Sequence, residues 1–388
     1  MSVSVNPNGV ASPSFEDCPF CGFKSTFAVQ PVLGKSYTRK CGICGKSKRF
    51  DLPLLFKKVI YLDQFALSNM MKEIDSSRAG KPPQHHGKFY LELFEQLDRL
   101  VKLQLIVCPR SSIHFNESIV DHDDYRKIRA VYDLLSRDSK FHSLQNIYTQ
   151  QILDGLQAWL QGKNTFEIDL DPAKIIAGGV ITDWDGWLRI SVNLPVNEEA
   201  IANEFRESKK HLYNELANLK ARWQHEPNKK FDDWYAEEVA AHGEALIRKM
   251  TGVQNAREFF ASSIFRQIPV INIEAVMWAG LAHRFQNGMK DWKVSIVNDI
   301  LAISAHLPVC DAMFLEKECA NLLTNAPVKK HITYKTQIFS LQNKDKFLAY
   351  LKAIETSATK EHRERVQELY GKFWLMPFSK LEPSNLPT

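Results

Sequence analysis

The sequence predicts an α/β fold: a parallel sheet flanked by helices, with a large helical insertion and a small cysteine-rich segment at the N-terminus. Three observations support this prediction. Short apolar, β-rich runs at residues 59–62, 103–108 and 309–316 each lead into a stretch of helical character. The long interval 122–290 is mainly helical in its pattern. Four of the chain's seven cysteines lie close together near its start.

Composition narrows the class of protein. The chain has 388 residues, of which 44% are hydrophobic and 24% are charged, a profile typical of soluble globular proteins. No apolar run reaches the roughly 18 residues that a membrane-spanning helix needs. Residues 1–17 lack the basic and apolar regions of a signal peptide. We therefore expect a cytoplasmic protein with no membrane partner, whose cysteines are thiols or metal ligands rather than disulfides.

Two C-x2-C pairs predict a metal site near the N-terminus. They are separated by 19 residues and consist of Cys18, Cys21, Cys41 and Cys44. Two such turns can close a tetrahedral site for Zn²⁺, and the segment between them is compatible with a hairpin, as in a zinc ribbon. With all four positions filled by protein, the zinc would be structural. A redox-active cysteine pair is the alternative reading.

Positive charge is concentrated in the same part of the chain. Residues 1–58 hold nine Lys or Arg and three acids, a net of +6, whereas the whole chain carries +5. This excess predicts contact with a polyanion. Four aromatic residues are interleaved with the basic ones: Phe20, Phe23, Phe27 and Tyr37. They suit base stacking beside phosphate contacts, but they equally suit a small ribbon core, and the sequence leaves both readings open.

Five acids are candidates for a second site. Asp63 ends the first β-rich run, where open α/β sheets place their sites, although it could merely cap the next helix. Glu117 lies in the second turn of a helix after the second run, where a solvated face is the plain alternative. Asp299 borders the apolar stripe of a later helix. The last run has Asp311 near its start and Glu316 at its end, roughly 17 Å apart along a strand, so one cluster is not expected to use both.

The order of these acids resembles that of the PIN domain, a nuclease family with a parallel sheet. The family has an acid after the first strand, a Glu early in a helix, an Asp in a later helix, and an acid after the next strand. "VIYLD", "SSIHFNES", "VNDILAISA" and "MFLEKE" match that order. The last motif departs from the family's Thr-x-Asp-like turn because Glu316 replaces Asp, which keeps Asp311 as a competitor. The resemblance covers residues 57–120 and 290–345.

The resemblance implies a metal-dependent nuclease that hydrolyses phosphodiester bonds, with RNA favoured over DNA, and a toxin, RNA-processing or anti-phage role. Carboxylate clusters without His or Cys independently favour Mg²⁺ or Mn²⁺. The alternatives are a non-catalytic nucleic-acid-binding or scaffold protein on a decayed PIN fold, and a structure-specific DNA nuclease. Self-association into a homo-oligomer is left open. The predicted organisation is a zinc ribbon at 1–52, a core at 53–121, a helical insertion at 122–290, and the rest of the core with C-terminal helices at 291–388.

Overall fold

A computed structural model describes most of the chain. The described residues are 2–5, 14–30, 32, 34–83, 86–113, 122–167, 169–178, 180–186, 188–191, 198–226, 228–249, 256–289, 293–371 and 374–375. Glu117, one of the predicted site residues, lies outside them. Within these ranges no helix has the length and the apolar character needed to cross a membrane.

The described residues form ten strands and fourteen α-helices. The strands are β1 Ser2–Val5, β2 Phe15–Glu16, β3 Phe27–Val29, β4 Ser36–Cys41, β5 Ser47–Asp51, β6 Lys58–Leu62, β7 Ile106–Val107, β8 Leu188–Ser191, β9 Ala312–Phe314 and β10 Gln337–Phe339. The first seven helices are α1 Gln64–Arg78, α2 Gly87–Lys102, α3 His122–Ser136, α4 Leu144–Leu160, α5 Glu198–His225, α6 Phe231–Lys249 and α7 Ala256–Ala261. The others are α8 Ser263–Gln267, α9 Pro269–Gln286, α10 Ile296–His306, α11 Lys317–Thr324, α12 Val328–His331, α13 Lys344–Ser357 and α14 Lys360–Tyr370.

A four-stranded parallel sheet forms the centre of the fold, in the order β10-β9-β6-β7. Its strands alternate between two buried faces, as expected for a sheet covered by helices on both sides. In β6, Ile60 and Leu62 pack with helices α1, α2 and α13, whereas Val59 and Tyr61 pack with the cluster that includes α9 and α10. This double burial explains why the runs look continuously apolar in the sequence.

Helices dominate the interval between the second and third strands of this sheet. Within it, α9 is the central helix, because nearly every residue from Pro269 to Ala282 is buried. It packs against α6 and α10, so the interval connects directly to the helix that carries Asp299. The parallel sheet, the many helices and the N-terminal cysteine cluster agree with the coarse α/β organisation expected from the sequence.

Strands β2 to β5 form a separate antiparallel sheet that carries the four cysteines. Antiparallel pairing of β3 with β4 confirms the hairpin between the two cysteine pairs. This sheet docks on α14 through a shared apolar cluster that includes Val29, Tyr37, Leu369 and Trp374. The ribbon is therefore packed into the protein and is not a separate arm.

A buried polar contact fixes the same docking. The Arg39 side chain is only 1% exposed and donates from Nη2 to Glu368 Oε1 at 2.9 Å, while Tyr37 donates to the same oxygen at 2.8 Å. Burial acts to raise the pKa of Glu368, but the hydrogen bonds from Tyr37 and Arg39 outweigh it and lower that pKa. Removing residues 1–50 would thus expose core surface on α14 and leave Glu368 without these donors.

Candidate functional sites: a four-cysteine cluster and an acidic sheet edge

The four predicted cysteines converge on one point. One ligand atom from each lies within 4.8 Å of the others. The Sγ atoms of Cys18 and Cys44 are 3.7 Å apart, as are those of Cys21 and Cys41. Four sulfurs about 2.3 Å from a tetrahedral Zn²⁺ would be separated by about 3.8 Å, so the sulfur positions fit zinc. All seven cysteines are free thiols.

Hydrogen-bond donors around Cys41 favour the thiolate form of its sulfur. The Thr26 hydroxyl is 3.4 Å from Cys41 Sγ, and the amides of Cys44 and Ile43 donate to the same sulfur at 3.4 and 3.3 Å. These contacts, with Thr26 the largest, lower the pKa of Cys41 to about 6 from its ordinary value near 9. The thiolate is the form of cysteine that binds metal. The lowered pKa of Cys41 therefore increases the fraction of this side chain that can act as a ligand.

The structure divides the four ribbon aromatics into two pairs. Phe27 and Tyr37 are buried and belong to the ribbon core and its docking cluster. Phe20 and Phe23 remain exposed beside the first cysteine pair. The core reading therefore holds for Phe27 and Tyr37, whereas base stacking by Phe20 and Phe23 stays a prediction.

Strand order defines the second candidate site. From β6 the chain runs to β7 on one side, then crosses to β9 and β10 on the other, so the order reverses between β6 and β9. Open α/β sheets bind ligands at such a switch point, in the crevice beyond the carboxyl ends of the strands. Asp63 follows β6 directly and Glu316 lies two residues after β9. Two of the predicted acids therefore flank the switch point.

The backbone amide of Glu316 is hydrogen-bonded to the side chain of Asp63. Asp63 is 6% exposed and accepts from the Glu316 amide at 3.2 Å through Oδ2, while its own amide donates to Phe314 O at 3.1 Å. Asp63 is the N-cap residue of α1, but its side chain makes no capping bond to that helix. Glu316 occupies the N-cap of α11 in the same way. The positive ends of two helices thus favour negative charge at both acids.

Asp299 reaches the same edge from α10 through Cys319. The Cys319 thiol on α11 is fully buried and lies 3.7 Å from Asp299 Oδ2. Its pKa is raised well above the ordinary value, first by burial and then by the charges of Asp299, Asp63 and Glu316. Asp299 therefore contacts this thiol, and the charges of Asp63 and Glu316 also affect its pKa. The sequence did not indicate this position of Cys319, because only folding brings α10 and α11 together.

The charge of Glu316 affects a lysine and a tyrosine that the sequence did not single out. Lys293 Nζ lies 3.2 and 3.1 Å from the two carboxylate oxygens of Glu316, and its side chain is 68% exposed. Glu316 is the largest cause of the raised pKa of Lys293, and Asp299 contributes to it. Tyr90 is buried on α2, and burial together with the Glu316 charge raises its pKa to about 12. No sequence motif marks either residue.

Asp311 lies away from these acids, at the other end of the sheet. Its Oδ2 accepts from the Val59 amide at 2.9 Å, and Lys58 Nζ contacts its Oδ1 at 2.9 Å. Val59 is four residues before Asp63, a separation of about 13 Å along a strand. Of the two competing acids, the structure brings Glu316 to Asp63 and leaves Asp311 in a contact that joins β6 and β9.

The carboxylate oxygens at this edge of the sheet are ligands of the kind that hard divalent cations prefer. Within the described ranges, only the four cysteines place three or more possible ligand atoms within 4.8 Å of one another. The three acids at the edge are therefore more widely spaced than a closed cage. Mg²⁺ is usually held by one or two carboxylates, several waters and substrate phosphates, and Asp63 and Glu316 are the two carboxylates that flank this edge.

Comparison of the chain with protein-family models, curated proteins and solved structures found no match. The PIN resemblance therefore rests on the order of the acids in the sequence.

Proposed function

We propose that the chain is a metal-dependent nuclease of PIN-like organisation that hydrolyses phosphodiester bonds, in RNA rather than DNA. The observation that carries this proposal is the pairing of Asp63 with Glu316 at the switch point of the parallel sheet, with Asp299 close by across Cys319. The preference for RNA comes from the family resemblance. The N-terminal ribbon would help to engage the nucleic acid.

The mechanism follows from what each side chain can do. Asp63, Asp299 and Glu316 would hold Mg²⁺ or Mn²⁺, with Glu117 as the fourth acid of the predicted set. When bound, such an ion activates water and stabilises the oxygens of an in-line displacement at phosphorus. The Glu316 amide orients the Asp63 carboxylate, and the α1 and α11 N-termini stabilise the charges of both acids.

Lys293 gives the edge a positive charge that does not depend on metal. Its ammonium group now pairs with Glu316, and most of its side chain is exposed. Surface ion pairs of this kind contribute about 0–1 kcal/mol, so the lysine can exchange partners easily. A substrate phosphate near Glu316 is negatively charged, as the carboxylate is. It can therefore replace Glu316 as the partner of Lys293.

The test combines cleavage with metal-dependent stability. Asp63→Asn and Asp299→Asn should each abolish cleavage of single-stranded RNA in Mn²⁺ and should remove the rise in melting temperature that Mn²⁺ causes in the native chain. Asn has nearly the shape of Asp, so packing is kept while the charge that attracts the cation is lost. Matched RNA and DNA strands in the same assay measure the preference for RNA.

Asp311→Asn is the matched control, because it neutralises an acid on the same sheet away from the site. It should keep cleavage while weakening the contact to the Val59 amide. Asp63 and Asp299 variants that still cleave would refute the proposed site. Native protein that binds RNA but neither cleaves it nor responds to Mn²⁺ would indicate the non-catalytic alternative, and cleavage of DNA alone would indicate the DNA nuclease.

A further inference from the structure

The two cysteine turns of the ribbon present apolar side chains to solvent. Phe20, Phe23 and Ile43 are 45%, 57% and 60% exposed. Phe20 and Ile43 occupy the same position in their respective C-x2-C turns, and the amide of each donates to the sulfur of the first cysteine, at 3.4 and 3.3 Å. The metal site therefore fixes the backbone beneath both side chains. Exposed apolar groups on so rigid a base indicate a contact surface.

Packing within the ribbon does not account for these side chains. The ribbon core uses Phe27 and the buried cysteines, and the docking to α14 uses Tyr37 and its neighbours. Phe20 contacts that core through Phe27, since the two ring centres are 6.0 Å apart with the planes 77° apart. Because Phe20 is still 45% exposed, much of its surface is open to a partner.

Lys46 lies beside the exposed Phe20 ring, and Lys48 lies beside the half-buried Phe50. Lys46 Nζ lies 5.6 Å from the centre of the Phe20 ring, and Lys48 Nζ lies 5.3 Å from that of Phe50. Lys46 directly precedes β5 and Lys48 lies on it, and β5 is an edge strand of this sheet. In the part of the chain that the structure describes, no acid lies within ion-pair distance of either.

Most of the basic residues in the first 58 lie on the surface of the protein. Of the nine basic residues in the first 58, three form ion pairs within the chain: Arg39 with Glu368, Lys57 with Asp185, and the exposed Lys58 with Asp311. The other six are exposed: Lys24, Lys35, Lys40, Lys46, Lys48 and Arg49. Most of the positive charge that the sequence places here therefore faces solvent, where a polyanion can reach it.

We infer that the surface formed by Phe20, Phe23, Ile43, Lys46 and Lys48, here called the knuckle face, binds single-stranded nucleic acid by stacking unpaired bases beside phosphate contacts. Exposed rings can stack only on bases that are free of a duplex, and each stacked base contributes about 1–3 kcal/mol whatever its sequence. The lysines match the charged backbone between the bases. This inference deepens the proposed function, on which it rests for the expectation that the partner is nucleic acid.

The test measures binding separately from cleavage. Labelled single-stranded RNA and DNA of one sequence, and the duplex, are titrated with zinc-loaded full-length protein in buffer free of Mg²⁺ and Mn²⁺. Phe20→Ala with Phe23→Ala should weaken single-strand binding at least about fivefold, from the loss of one or more stacked bases. Phe56→Ala is the matched control, since this Phe is 80% exposed but lies outside the knuckle face. Metal analysis confirms that each variant keeps its zinc.

Salt dependence tests the role of the lysines. Lys46→Ala with Lys48→Ala should reduce the slope of log affinity against log salt by about 1.4, because each phosphate contact to a single strand contributes about 0.7. Lys35→Ala, an exposed lysine outside the knuckle face, should change the slope less than either lysine of that surface.

Each outcome decides the inference independently of the nuclease proposal. Unchanged binding in the aromatic variant, equal affinity for the duplex, or no binding of any strand by the native chain would overturn it. Loss of single-strand binding in that variant would uphold it even if the native chain cleaves nothing. Conversely, cleavage that depends on Asp63, with binding indifferent to the knuckle face, would uphold the nuclease and overturn the inference.

Discussion

Replacing Glu274 with Gln should reveal a pH dependence of stability that the native pair of Glu274 and His242 conceals. Glu274 on α9 is 8% exposed, and burial raises its pKa to about 7 from an ordinary value of 4.5, against an opposing hydrogen bond from Trp278. His242 on α6 is half-buried, and the resulting desolvation lowers its pKa to about 4 from 6.5. Its Nε2 lies 3.8 Å from Glu274 Oε1, too far for a hydrogen bond. Between about pH 4 and 7, both side chains are therefore neutral in the folded state.

The two shifts oppose each other in their effect on stability. A raised acid pKa makes the folded state bind more protons than the unfolded chain, so that contribution falls as pH rises from about 4.5 to 7. A lowered histidine pKa makes the folded state bind fewer, so its contribution rises with pH between about 4 and 6.5. Between about pH 4.5 and 6.5 each state holds one proton on the pair, and the two slopes cancel.

In the Glu274→Gln variant, only His242 of this pair still makes the free energy of unfolding depend on pH. A shift from 6.5 to about 4 is worth roughly 3 kcal/mol at about 1.4 kcal/mol per pKa unit, and the 22% exposure of the His242 side chain reduces this to about 2–3 kcal/mol. The variant should therefore lose that much stability as pH falls from about 6.5 to 4, measured by urea denaturation along a pH series. His242→Gln should show the opposite slope, with stability falling as pH rises towards 7.

The comparison is made against the native chain in the same series. A Glu274→Gln variant with the native pH profile would refute the reasoning, because it would show that Glu274 ionises alike in the folded and unfolded states. Equal profiles for His242→Gln and the native chain would refute it for His242 in the same way.

Two further predictions concern the metal sites. Cys41→Ser should release about one zinc per chain and loosen the ribbon while the parallel sheet persists, since a closed site loses most of its affinity with one thiolate gone; absence of zinc from the native protein by metal analysis would contradict this. Lys293→Met should tighten Mn²⁺ binding by up to about fivefold, because it removes an ion pair worth up to about 1 kcal/mol from Glu316; an unchanged Mn²⁺ effect on melting temperature would show that Lys293 does not compete with the cation.

Features that depend on local chain geometry could be predicted from the sequence. The C-x2-C spacing indicates a cysteine cluster because two sulfurs three residues apart lie on one turn, and the structure brings all four together. Apolar runs with Asp63 and Glu316 at their ends indicate strands whose carboxyl ends carry acids. Both follow from periodicity and spacing within a few residues, which tertiary packing did not alter. The role of Glu117 and the domain boundaries stay predictions.

Features that depend on contacts distant in the chain were decided only by the tertiary structure. Strand order places β9 beside β6 and so brings Glu316 to Asp63, across 253 residues of sequence. The same pairing puts Asp311 opposite Val59 instead of at the acidic edge. Docking of the ribbon on α14 buries Tyr37 and leaves Phe20 exposed, although the two look alike in sequence. Burial is a property of the assembled surfaces, and no local pattern contains it.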